Sequence, residues 1–107
     1  MNNAGVLASG PFAGLPVEVQ QRMVDVNVTG VVHGSSAGYP FLQRSGQGLL
    51  LNMCSASSLY GQPALATYGA TKAAVRSLTE ALNLSSTPRW CPPTGVRRPA
   101  SCAWASG

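Results

Sequence analysis

The run Leu49-Leu50-Leu51-Asn52-Met53-Cys54 is nearly continuously apolar, lies between the glycine punctuation Gly46-Gln47-Gly48 and a Ser-rich turn from Ser55 to Gly61, and has strand length. Alternating apolar and polar residues would mark a strand with one wet face. Unbroken apolarity instead suits a strand buried on both faces, as in a parallel sheet. A parallel sheet needs crossover helices, so the flanking segments must supply them.

Both flanks carry a helical period. Asn2 to Gly14 is rich in Gly, Asn, Ser and Pro and reads as loop, and Pro16 sits where a proline is tolerated in the first turn of a helix. From Val17, the residues Val19, Met23, Val26, Gly30 and Val31 recur at steps of three and four, with Gln20, Gln21, Arg22 and Asp25 between them. Small residues from Gly30 to Gly38 permit close packing against another element, and Pro40 is expected to bend or end the helix. A second helix is expected from about Ala66 to Leu84, with Val75, Leu78 and Leu82 on one face and the i,i+4 pair Arg76 and Glu80 on the other. Helix, buried strand, helix is a piece of an α/β layer architecture.

Beyond Leu84 the composition changes. Four of the eight prolines, both tryptophans and two of the three cysteines fall in residues 85–107, and no period survives there. That tail reads either as irregular, disordered chain or as GC-rich DNA translated out of frame, and residues 1–84 form the single structured segment. One lone strand would lack a ladder partner, so Leu49 to Cys54 are expected to be exposed or badly satisfied and the chain marginally stable or prone to aggregate.

The net charge of +4 is scattered, and Arg97-Arg98 is the only adjacent basic pair, which argues against a nucleic-acid face. Three cysteines without Cys-x-x-Cys spacing and a single histidine do not make a metal site. The N-terminus has no basic start with an apolar core, and no apolar run approaches the roughly 18 residues of a membrane span. These features point to a reduced, cytoplasmic protein that binds no membrane and no metal. Cys54 and Met23 are expected in the core.

Tyr68 and Lys72 stand four apart on the second helix, so their side chains leave one face a turn from each other. An ammonium beside a phenol favours the phenolate, which suits a tyrosine to acid/base work. Ser55 lies thirteen residues before Tyr68, at the C-terminal end of the apolar run, where catalytic groups of open α/β sheets collect. Taken alone, Ser55 reads first as a turn residue bonding its own backbone, and Asn27 as a buried or capping amide.

Four segments in order carry a resemblance: Asn2-Asn3-Ala4-Gly5, Val26-Asn27-Val28-Thr29-Gly30, Asn52-Met53-Cys54-Ser55 and Tyr68-Gly69-Ala70-Thr71-Lys72. With these landmarks the chain resembles the middle of a short-chain dehydrogenase/reductase. The resemblance implies a partial Rossmann-like fold, a fragment of a doubly wound parallel sheet with two long helices around one buried strand. It also implies hydride transfer between NAD or NADP and a carbonyl/alcohol carbon of a small-molecule substrate. Under it, Tyr68 is the general acid/base, Lys72 assists it and holds the nicotinamide ribose, Ser55 orients the substrate oxygen, and Asn27 positions a water linking Lys72 to solvent. Asn3, Ala4 and Gly5 lie beside the cofactor. The two long helices correspond to the family's main oligomer interface, which implies a homodimer or homotetramer.

The resemblance covers residues 2 to about 84. The family's glycine-rich phosphate turn precedes the Asn-Asn-Ala-Gly landmark, and Gly10-Pro11-Phe12-Ala13-Gly14 follows it at the wrong spacing. The truncated chain is therefore expected to be inactive alone. The rival expectation is a non-enzymatic helical interaction fragment that pairs with an intact reductase.

Overall fold

The computed structural model describes residues 1–46 and 48–86, with the side chains of residues 84–86 excepted. The tail expectation therefore falls outside the described residues, apart from Ser85 and Ser86, which are helical rather than irregular.

Two long helices dominate. The first begins after Pro16, whose carbonyl accepts from the backbone N–H groups of Val19 (3.1 Å) and Gln20 (3.2 Å). It runs as α1 (Val17–Val24), a π-helical segment (Asp25–Thr29) and α2 (Gly30–Ser45), with helical dihedrals at both junctions. The second, α3, spans Ala66–Ser86 and packs on α1 and on the π segment. Short 3-10 turns at Phe12–Gly14, Ala56–Ser58 and Pro63–Leu65 shape the connections.

Pro40 does not end the first helix, which continues to Ser45 and stops at Gly46 in the left-handed region (φ 64°). The proline deletes the bond to the carbonyl of Ser36, an exposed residue whose carbonyl water can serve, and Gly46 supplies the left-handed closure that glycine adopts without strain.

The apolar run is not a strand buried on both faces, and among the described residues there is no extended ladder. A single parallel bridge joins Asn2 to Asn52, closed by Asn2 N–H to Leu51 O (2.7 Å) and Met53 N–H to Asn2 O (3.0 Å). The run therefore does have a partner in the chain, the segment around Asn2. Alternate residues then diverge: Leu49 (73% exposed), Leu51 and Met53 (each 48%) look outward, while Leu50 and Asn52 are half-buried. Both long helices lie on one side of the bridge, so only that face is covered. Cys54, expected in the core, is exposed as well: it follows the bridge at the open end, where its thiol meets Ser58 Oγ (3.3 Å) and the Lys72 carbonyl (3.4 Å).

The bridge is tied to the helices by side-chain amides. Asn2 Nδ2 donates to Asn52 Oδ1 (2.8 Å), Ser35 Oγ (3.3 Å) and the Val31 carbonyl (3.5 Å) on α2. Asn52 Nδ2 in turn donates to Thr79 Oγ1 (2.9 Å) on α3, and Thr79 donates back to the Val75 carbonyl (2.7 Å). Met23, Val31 and Val75 form the apolar core, with Met23 buried as expected. Arg76 and Glu80 meet on the exposed face at 3.4 Å. No described helix is long and apolar enough to cross a membrane.

Gly34 makes the amide bridge possible, because a Cβ there would collide with the side chain of Asn2, whereas a Cβ at Gly38 would meet nothing. Gly38→Ala is expected to stabilise the chain by up to about 1 kcal/mol through helix propensity. Gly34→Ala is expected to lose more than that gain, since Asn2 is held by three acceptors. Urea denaturation of the two variants against the parent checks the opposite signs.

Candidate active site

Asn27 occupies the centre of the π segment and is completely buried. Its amide clamps one residue of the loop after the bridge from both sides: the Val6 N–H donates to Asn27 Oδ1 (2.8 Å), and Asn27 Nδ2 donates to the Val6 carbonyl (2.9 Å). The remaining Nδ2 hydrogen goes to Thr71 Oγ1 (3.0 Å) on α3. The Val6 N–H fixes which end of the amide is oxygen, so the orientation is dictated by the network. A π-helical turn places the amide at the crossing of three segments, the position at which such turns commonly serve function.

Lys72 is only 4% exposed, and its Nζ donates to the Met53 carbonyl (3.0 Å), the residue after the bridge. The ammonium stands 5.9 Å from the centroid of the Tyr68 ring, one helical turn back on α3. Gly5 marks where the pieces converge, since a Cβ added there would lie 3.4 Å from Lys72 Nζ and 3.5 Å from Asn27 Oδ1. Asn3 and Ala4 precede it on exposed backbone. The structure thus brings Gly5, Asn27, Tyr68 and Lys72 together at one end of the Asn2–Asn52 bridge.

Ser55 lies just beyond Met53 and Cys54 and caps the Ala56–Ser58 turn, its hydroxyl accepting from the Ser57 N–H (3.3 Å). This is the turn-residue role, and among the described residues no hydrogen bond joins Ser55 to Tyr68. The turn is nevertheless pressed against the tyrosine's own helix: Gly69 lacks the Cβ that would approach the Ser57 carbonyl to 3.0 Å.

Thr71 and the carbonyls of Val6 and Met53 were not singled out by sequence reasoning. A helical threonine three residues after Tyr68 is placed to bond back to the Tyr68 carbonyl, which is the one local signal that marks it. A groove of about 810 Å³ lies away from this centre, between the ends of α2 and α3, lined in part by Tyr39, Leu42, Leu50 and Thr79. Its volume does not make it the site, because it contains neither Tyr68 nor Lys72. No group of three or more His, Cys, Asp or Glu side chains suited to a metal occurs among the described residues.

Residues 1–90 match the family of short chain dehydrogenases. With the landmark residues assembled as described, the chain belongs to the short-chain dehydrogenase/reductase family. It is 42% identical over 82 residues to a 3alpha-hydroxysteroid dehydrogenase of Mediterraneibacter gnavus, covering 77% of this chain and 33% of that relative. It is 38% identical over 97 residues to a 3-alpha-(or 20-beta)-hydroxysteroid dehydrogenase of Mycobacterium tuberculosis, covering 91% of this chain and 35% of the relative. Among solved structures it is similar to a gluconate 5-dehydrogenase from Burkholderia cenocepacia in complex with NADP and tartrate, with a TM-score of 0.74 and 32% identity over 78% of this chain and 33% of that one. A short-chain dehydrogenase from Sphingobium yanoikuyae in complex with NADPH gives a TM-score of 0.75 and 34% identity, covering 81% of this chain and 34% of that one. The chain spans about a third of the length of the relatives it matches.

Because Asn27 is fully buried and serves both polar groups of Val6, Asn27→Ala is expected to cost about 1–3 kcal/mol, the range for leaving a buried backbone group unpaired. Chemical denaturation monitored by circular dichroism checks the loss.

Proposed function

We propose that Tyr68, Lys72, Ser55 and Asn27 are the proton-handling set of an NAD(P)-dependent oxidoreductase acting on a carbonyl/alcohol carbon. The observation that carries this reading is the buried Lys72 ammonium, 5.9 Å from the Tyr68 ring and beside the Cβ-less face of Gly5. Burying an ammonium is costly unless its environment is polar and bonded, so a lysine kept here with one carbonyl partner is retained for what its other N–H groups can hold. Two donors remain for a ribose hydroxyl or a water.

The residues fit a nicotinamide nucleotide. Asn3, Ala4 and Gly5 offer small side chains at the bridge end, and the space a Cβ at Gly5 would fill opens directly onto Lys72 Nζ. When bound, that group gives or takes the hydride. Lys72 would hold the ribose, and Tyr68 would deliver a proton to a carbonyl oxygen or remove one from an alcohol. Ser55 Oγ, at the end of the apolar run, would donate its proton to the same oxygen while it accepts from the Ser57 N–H. Asn27 would hold a water that links Lys72 to solvent.

The 107 residues contain the proton-handling set without a glycine-rich phosphate turn, so the chain alone is proposed to be inactive and its nucleotide contact weak. Pairing of copies through the two long helices, as a homodimer or homotetramer, and cytoplasmic residence belong to the same reading. Exposed Val32 and Phe41 on α2 support such helix pairing. They equally favour the second reading, a non-enzymatic helical fragment that binds an intact reductase.

Titration of NADH and NADPH against the purified chain separates the two. Enhanced nicotinamide fluorescence, lost in Lys72→Met and kept in Tyr68→Phe, is the expected result. No response to either nucleotide, with co-purification of an intact reductase, overturns the enzyme reading. In any preparation that reduces a ketone, Tyr68→Phe is expected to lower kcat by about 10²–10⁴-fold, the range for loss of a general acid.

A further inference from the structure

Thr71 is 3% exposed, carries no charge and has no place in the proton-handling set described above. Its hydroxyl nevertheless joins two parts of that set, donating to the Tyr68 carbonyl (2.7 Å) and accepting from Asn27 Nδ2 (3.0 Å). The direction of both bonds is forced. The Val6 N–H must meet an acceptor, so the Asn27 oxygen faces it and the Asn27 nitrogen faces Thr71. A nitrogen that donates requires the threonine oxygen to accept, which leaves the single hydroxyl proton for the Tyr68 carbonyl. A threonine in a helix is stiff at χ1, and its γ-oxygen reaches the i−3 carbonyl in a favoured rotamer, so the bond is made without strain.

From this geometry we infer that Thr71 is a positioning residue, locking the Tyr68 turn of α3 to the Asn27–Val6 clamp so that Tyr68, Lys72 and the Gly5 backbone keep one mutual placement. Without the hydroxyl, α3 keeps its bonds to the apolar run, Lys72 Nζ to the Met53 carbonyl and Asn52 Nδ2 to Thr79, and loses the direct one between the Tyr68 turn and the Asn27–Val6 clamp. The carbonyl of Tyr68 is also the acceptor of the helical N–H of Lys72, so the same contact fixes both ends of the Tyr68–Lys72 pair. The catalytic meaning of this placement rests on the oxidoreductase reading above, whereas the placement itself does not.

The test uses the full chain, labelled for nuclear magnetic resonance, as Thr71→Val and Thr71→Ser. In Thr71→Val, the Val6 amide is expected to exchange with solvent roughly tenfold faster or more, since the clamp loses the partner that orients it. The Tyr68 ring signals are expected to shift in the same variant. Thr71→Ser keeps the hydroxyl and is expected to restore both readouts, which a role in packing alone would not allow. Should Thr71→Val fail to fold, Thr71→Ala removes the hydroxyl without placing a methyl against the Asn27 amide and is read in its place. Exchange within about twofold of the parent together with unmoved Tyr68 signals overturns the inference. So does a serine variant that behaves like valine, or a parent chain whose Val6 amide shows no protection. The NADH and NADPH titration is run beside it: no nucleotide response with the expected exchange pattern defeats the oxidoreductase reading and leaves the Thr71 lock standing, and the reverse pattern does the opposite.

Discussion

The side-chain amide of Asn27 is the contact on which the remaining geometry depends. It is fully buried, and three of its four hydrogen-bonding positions are spent on the Val6 N–H, the Val6 carbonyl and Thr71. A buried amide is costly unless satisfied, so the two segments it joins are held in whatever relation satisfies it. That relation places Gly5 one residue before the clamp and within reach of Lys72. The π-helical turn follows from the same demand: widening the helix at Asp25–Thr29 is tolerated because the amide gains partners from two other segments there.

The interior of the described chain is unusual in composition. Its buried residues are three apolar ones, Met23, Val31 and Val75, and four polar ones, Asn27, Ser35, Thr71 and Lys72. Each polar member has a bonded partner. Apolar packing is non-directional and would tolerate small slips of α3 along the first helix, whereas a chain of amide and hydroxyl bonds tolerates few. Two such chains run side by side here: Ser35, Asn2, Asn52 and Thr79 secure the bridge to both helices, and Val6, Asn27, Thr71 and Tyr68 secure the site.

The helices were legible in the sequence because their signals are local. The 3.6-residue period, Pro16 at the start of the first and the Arg76–Glu80 pair on the second all depend on neighbours a turn away. The tyrosine and lysine were legible for the same reason, as a spacing of four defines a shared face. The environment of the apolar run was legible only in part: its exposure follows from the lack of neighbouring strands, whereas the single bridge to Asn2 carries no local signal. Continuous apolarity signals two covered faces, but coverage depends on what lies across the sheet, and the described residues supply helices to one side only. Cys54 was misjudged with it, since its small apolar character says nothing about which end of the bridge is open. That Pro40 does not end the helix was not legible either, because the cost of a helical proline depends on whether the freed carbonyl is wet, and Ser36 is exposed. Asn27 was ambiguous between cap and buried amide until Val6, 21 residues earlier, was seen to claim both of its ends.

This pattern of legibility bears on how the site is built. The groups that would touch a substrate or nucleotide, Tyr68, Lys72 and Ser55, sit on elements whose form is set locally, and they could be named from spacing. The groups that hold those elements together are contacts of long sequence separation: Asn2 with Asn52, 50 residues apart, and Asn27 with Thr71, 44 apart. Closing such loops costs entropy that apolar burial at three core residues does little to offset, so the bonds that close them must be directional and protected from water. A chain with these amides replaced by apolar residues of similar shape would keep its helices and lose their register. Chemistry that needs an ammonium, a phenol and an open backbone at one point depends on that register more than on either helix.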